Sequence, residues 1–188
     1  MKAVSEILSY LLITLLVIGL ISFILSWGLP YLQKRQDEMK INVIFNNLFS
    51  DLSEGSLPSA IKRILIARSG YEKVGGFDGS WNVTNNEIIF TFVSKASPVN
   101  SNDWVLVYGC AKDVCNFPQE HFYSVEVSSQ RISDYFVVKY KLVLKKITYF
   151  GDVYSLRFSS NFYSTSKYIF IEFDKIDEVN KIIYLKVR

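Results

Sequence analysis

The run ILSYLLITLLVIGLISFILSWGL, Ile7–Leu29, holds no charged side chain, and its reading decides the fold. As a helix its 23 residues extend roughly 35 Å, against a hydrocarbon core of about 30 Å. Trp27 and Tyr31 stand at its far end, where amphipathic rings favour the membrane–water interface, and Lys34 and Arg35 follow. A cleaved secretory signal has a shorter apolar core and a small-residue cleavage site beyond it. This run continues into Trp-Gly-Leu-Pro-Tyr-Leu instead, so the sequence predicts a permanent single-pass span in the cell membrane. Basic residues near its ends, Lys2 against Lys34, Arg35 and Lys40, would by themselves keep the following chain inside. Long domains cross regardless of that count, and the cysteines and sequon described below favour an extracellular domain.

Past Pro30 the pattern stays helical. Leu32, Met39, Ile41, Ile44, Phe45, Leu48, Phe49 and Leu52 recur at steps of three and four, predicting an amphipathic extension over 32–53. Pro30 lacks an N–H and predicts a kink, while Gly55 and Pro58 predict the stop. Residues 1–54 thus form an N-terminal helical region and 56–188 a β-rich domain.

In the domain the period changes to two. AIKRILIAR, EIIFTFVS, DWVLVYG, YSVEVSS, YFVVKYKLVLKKIT, VYSLRFS, KYIFIEF and KIIYLKV read as strands rich in β-branched and aromatic residues. Ile88, Phe90 and Phe92 share one face. Val138, Tyr140, Leu142 and Leu144 share another, opposite Lys139, Lys141 and Lys145. One wet face predicts antiparallel pairing. SGYEKVGGFDGS, TNN, ASPVNSND and FGD read as turns, and KIDEVN as a turn or a single helical turn. The predicted fold class is α+β: a long N-terminal transmembrane helix followed by an antiparallel β-sandwich.

With 49% hydrophobic and 15% aromatic residues in 188, the chain can fill a core, which argues against disorder. The net charge of +3 is spread along the sequence without a basic cluster, so no nucleic-acid partner is expected.

Cys110 and Cys115 form C-x4-C in YGCAKDVCN. Zinc would need two more donors, and His121 is the only histidine. A small disulfide loop in an oxidising exterior and a pair of reduced thiols are the remaining readings. Asn82 in WNVT is an N-x-T glycosylation acceptor. His121 in FPQEHFY reads as a loop or surface residue. GYEKVGGFDGS joins predicted strands and reads as a hairpin loop, not a nucleotide site. Asp174, Asp177 and Glu178 lack calcium-loop spacing. No catalytic, cofactor-binding or metal residues are assigned, and no cofactor is expected.

A short basic start, a small residue, Ser-Glu-Ile, an unbroken apolar helix and a β-rich domain resemble archaeal type IV pilin-like proteins. The likeness rests on VSEILSYLLITLLVIGL followed by WGLP, and on the architecture. It implies an N-terminus inside and a domain outside, removal of a short leader by a prepilin-type peptidase, and helices packed into a filament by the pilus assembly machinery. The corresponding cut lies between Ala3 and Val4. It places Glu6 third in the mature chain, where bacterial-type pilins have their glutamate fifth. The resemblance implies that Glu6 neutralises the free amine of a neighbouring copy within the apolar bundle. The residues alone also admit a plain interfacial carboxylate favoured by the helix dipole. The expected function is a self-assembling, non-enzymatic structural protein of the archaeal cell surface, acting in filaments and adhesion. The alternative is a membrane-tethered β-sandwich ectodomain that binds an envelope partner without forming filaments.

Overall fold

The structure, a computed structural model, describes residues 2–118, 120–149 and 151–188, with side chains from Ile7 onward. It begins with one continuous helical rod. Helix α1 (Lys2–Phe23) passes through a π-helical turn, Ile24–Gly28, into α2 (Leu29–Leu48). The widened turn lies just ahead of Pro30, whose missing N–H breaks the α-helical ladder there. Insertion of a π turn lets the helix continue past it.

The rest is two six-stranded sheets in a sandwich-like arrangement. Its strands are β1 (Tyr71–Gly75), β2 (Ser80–Thr84), β3 (Glu87–Ser94), β4 (Val105–Gly109), β5 (Val114–Asn116) and β6 (Tyr123–Ile132). They are followed by β7 (Tyr135–Leu144), β8 (Lys146–Tyr149), β9 (Asp152–Phe158), β10 (Phe162–Ser164), β11 (Tyr168–Asp177) and β12 (Ile182–Val187). Sheet A runs β1-β11-β12-β9-β8-β5 and sheet B runs β10-β2-β3-β7-β6-β4. The α+β class with a sandwich-like domain is as expected. The alternation also holds: Ile88, Phe90 and Phe92 on β3 and Val138, Tyr140, Leu142 and Leu144 on β7 are buried. In register, Phe90 faces Tyr140 and Phe92 faces Val138, so the aromatic residues of neighbouring strands stack on the inner face of sheet B.

Four expectations are corrected. AIKRILIAR is not a strand but most of a helix, α3 (Leu57–Ala67). Ser56 caps it, its Oγ accepting from the Ser59 N–H at 3.3 Å, and Ala60, Ile61, Ile64 and Leu65 are buried on one side. The stretch taken as a glycine loop contains β1, which pairs with β11 at the edge of sheet A. YFVVKYKLVLKKIT is two strands that leave Lys145 between them: β7 belongs to sheet B and β8 to sheet A. The sheets are not purely antiparallel, because β12 pairs in parallel with β9, and β5 with β8.

Candidate membrane anchor and neck

Every described residue of α1 is exposed, and the span candidate Ile7–Leu48 has no buried residue in its most apolar window. A fully apolar, fully exposed helix is stable where lipid replaces water around it. It is long and apolar enough to serve as a single-pass anchor. At its far end Phe23, Trp27 and Tyr31 form a ladder of rings with successive centroids 6.2 Å apart. Arg35 Nε donates to the Tyr31 hydroxyl at 3.1 Å, and its Nη1 pairs with Glu38 at 3.2 Å. This is the order of an interfacial belt: apolar residues, rings, then cations.

The neck is the second half of α2. Ile41, Ile44 and Leu48 are buried at steps of three and four, Phe45 lies beside them, and Phe49 follows just beyond the helix. Phe45 and Phe49 meet the Tyr140 ring at 5.7 and 5.3 Å, and Phe45 also meets Tyr108 of β4. Burial raises the Tyr140 phenol to about 12. The helix is therefore part of the domain core and not a stalk beneath it.

The buried stripe is narrower than expected. Leu32, Met39 and Leu52 are exposed, and the helix ends at Leu48 instead of near residue 53. Asp37 joins the inner side in their place, accepting from the Lys95 backbone N–H at 2.5 Å and the Ser94 hydroxyl at 3.4 Å. Lys95 Nζ in turn donates to Gln33.

Below the helix a polar clasp closes the junction. Asp51 sits between His121 Nδ1 and the Tyr123 hydroxyl, both 2.6 Å from its carboxylate oxygens. Tyr123 is fully buried, and desolvation, followed by the hydrogen bond and charge of Asp51, pushes its phenol far above the ordinary value. The Tyr108 ring packs 5.0 Å from His121. His121 thus lies in a loop as expected, but as a fastener of the neck. No sequence spacing reports its pairing, because Asp51 is seventy residues away on another element.

Ala3, Val4 and Glu6 lie on the backbone of α1, and their side chains are outside the described residues. Cys110 and Cys115 are joined as a disulfide. Cys110 directly follows β4 of sheet B and Cys115 lies in β5 of sheet A, so the bridge ties facing edges of the two sheets. Gly109 has φ +100°, and an added Cβ would strike the Tyr123 carbonyl, so the turn into the bridge requires glycine. Asn82 is exposed, but on strand β2 opposite Tyr163, not in a loop.

Asp177 accepts from the Val179 and Asn180 N–H groups and closes a turn, while Glu178 accepts from the Tyr154 hydroxyl. Among the described residues no three His, Cys, Asp or Glu side chains converge on a point where a metal could sit. Several clefts open on the surface. One of about 460 Å³ lies between α2 and the β6–β7 hairpin, and one of about 440 Å³ lies at the opposite end, by Asn85 and Lys145. No family profile, curated protein or solved structure matches the chain.

Proposed function

We propose that this chain is a pilin-like structural protein of the archaeal cell surface, held by its N-terminal helix, displaying its β domain outside and self-assembling through that helix. It carries out no reaction; its work is mechanical, and the domain is its exposed face. The observation that carries the reading is on the side of α2 turned away from the core. At 100° per residue, Leu32, Met39 and Val43 point opposite Ile41, Ile44 and Leu48, and they are 56%, 61% and 48% exposed. Leu32 stands at headgroup depth, and Met39 and Val43 prolong the apolar surface of the span beyond the length a bilayer covers. A lone tethered protein would leave that stripe wet, whereas a neighbouring helix covers it.

The test is crosslinking of the full-length protein in native membranes, comparing wild type with Glu6→Leu and Met39→Asp. Removing one partner of a buried charge pair costs about 3–5 kcal/mol, so Glu6→Leu should abolish the oligomer ladder while Glu6→Asp is partly tolerated. Met39→Asp should weaken the ladder without unfolding the domain. If Glu6 only caps an anchor helix, its loss costs under about 1 kcal/mol and the ladder survives. No ladder from the wild type would support the tethered ectodomain that binds an envelope partner.

A further inference from the structure

The rod of α1 and α2 fixes the height of every domain element that touches it. Gln33 lies four residues beyond Leu29, about 6 Å along the axis. The headgroup zone adds roughly 5–8 Å to each side of the hydrocarbon core. Lys95, whose ammonium donates to Gln33, therefore stands at headgroup depth. The same ammonium lies 5.7 Å from the ring of Tyr135, at the tip of the β6–β7 hairpin.

That tip is built unlike the polar turns elsewhere. Ile132 faces Tyr135 across a two-residue turn at Ser133, which adopts φ +57°. Ile132, Tyr135 and neighbouring Val93 of β3 are 55%, 47% and 56% exposed. Arg131 stands beside them, its Nε donating to the Ser133 carbonyl. Lys34 and Arg35 of α2 supply further positive charge at this level. Of the nearby acids, Asp37 is engaged by Ser94 and Lys95, Glu38 pairs with Arg35, and Asp134 lies in the turn itself.

We propose that the β6–β7 hairpin tip, together with Lys95, is a second membrane contact that seats the domain on the headgroups of an anionic bilayer. Ile132 and Val93 enter the interfacial layer, Tyr135 takes the place of an aromatic belt residue, and Lys95 and Arg131 meet lipid phosphates. The domain then has two attachments to the bilayer and a fixed face towards it. The proposal rests on the single-span reading of Ile7–Leu29.

The experiment uses the full-length chain, highly diluted in vesicles of phosphatidylcholine alone or mixed with phosphatidylglycerol. Spin labels are placed at Ile132→Cys and, as reference, at Asn85→Cys, and are quantified against the unsubstituted chain. The eight residues of β3 place Asn85 roughly 25 Å farther from the bilayer. The expected result is a ratio of oxygen to nickel-chelate collisions severalfold higher at 132 than at 85. That ratio should rise further with phosphatidylglycerol, and the rise should vanish in Lys95→Glu/Arg131→Glu. Equal, water-like ratios at both positions, in protein that still resists alkaline extraction, would overturn the proposal and leave the span intact. Release by the alkaline wash would overturn the span reading and the proposal with it. A label at 132 shielded from both reagents, with dipolar broadening, would assign the tip to a second copy instead of lipid.

Discussion

Cutting the chain at the end of the helix should destroy the domain, whereas cutting it earlier should not. A fragment beginning at Gln36 retains Ile41, Ile44, Leu48 and Phe49, which are at most 5% exposed in the core. One beginning at Gly55 loses all four. Burying an aliphatic or phenyl side chain contributes about 1.5–3 kcal/mol, so the four together contribute roughly 6–12 kcal/mol, an upper estimate for an extended unfolded chain. The total stability of a domain is about 5–15 kcal/mol. The Gly55 fragment should therefore lack a cooperative thermal transition, lose near-ultraviolet circular dichroism and bind an apolar dye. The Gln36 fragment should be soluble, β-rich and cooperative. Within it, Ile44→Ala should cost about 2–5 kcal/mol and lower Tm by roughly 5–15 °C. A Gly55 fragment that melts as cooperatively as the Gln36 fragment, at the same temperature, would refute the assignment of the neck to the core.

Cys110 and Cys115 should resist alkylation in freshly isolated protein until reductant is added, and the short loop limits the loss on reduction to about 2 kcal/mol; free thiols without reductant would contradict an exported, bridged domain. Asp51→Ala removes the acceptor of the buried Tyr123 hydroxyl and the partner of His121, and should cost about 1–3 kcal/mol in denaturant unfolding; an unchanged midpoint would mean that the clasp bears no strain. The raised Tyr123 and Tyr140 values set an alkaline limit. Both phenols are neutral and fully compatible with the fold below the ordinary tyrosine value of about 10, and stability falls as pH rises beyond it. Tyr140→Phe should flatten that decline between pH 10 and about 12, measured by the unfolding midpoint across pH.

The strands were legible where one face was dry and the other wet. Lys139 and Lys141 between Val138, Tyr140 and Leu142 leave only one face to bury, and β7 adopts it. AIKRILIAR misled because Ile61 and Leu65 share a face at a period of two as well as in a helix, whereas Ile64 joins them only in a helix. The deciding signal lay just upstream, in Ser56 as cap and Pro58 in the first turn. Strand β1 was hidden by the glycines in and around it, of which Gly75 marks a close approach of its backbone to the start of β11. The division of β7 from β8 at Lys145 depends on which sheet each joins, and that is set by partners far away in sequence. The clasp at Asp51 was illegible for the same reason. At Lys145 and Asp51 legibility failed because chain distance and spatial distance parted.

The position of β12 has a consequence for how the domain comes into being. It lies inside sheet A, between β11 and β9, although it is the last strand of the twelve to be made. Without it, sheet A falls into two unconnected pieces, β1-β11 and β9-β8-β5. Strand β9 must therefore wait, one edge unpaired, through the synthesis of β10 and β11 before its parallel neighbour arrives. A sheet completed by its final strand stays open until that strand is in place, however early the other five have formed. It locks when β12 slots between β11 and β9, so the topology itself makes closure of sheet A a late and all-or-none event.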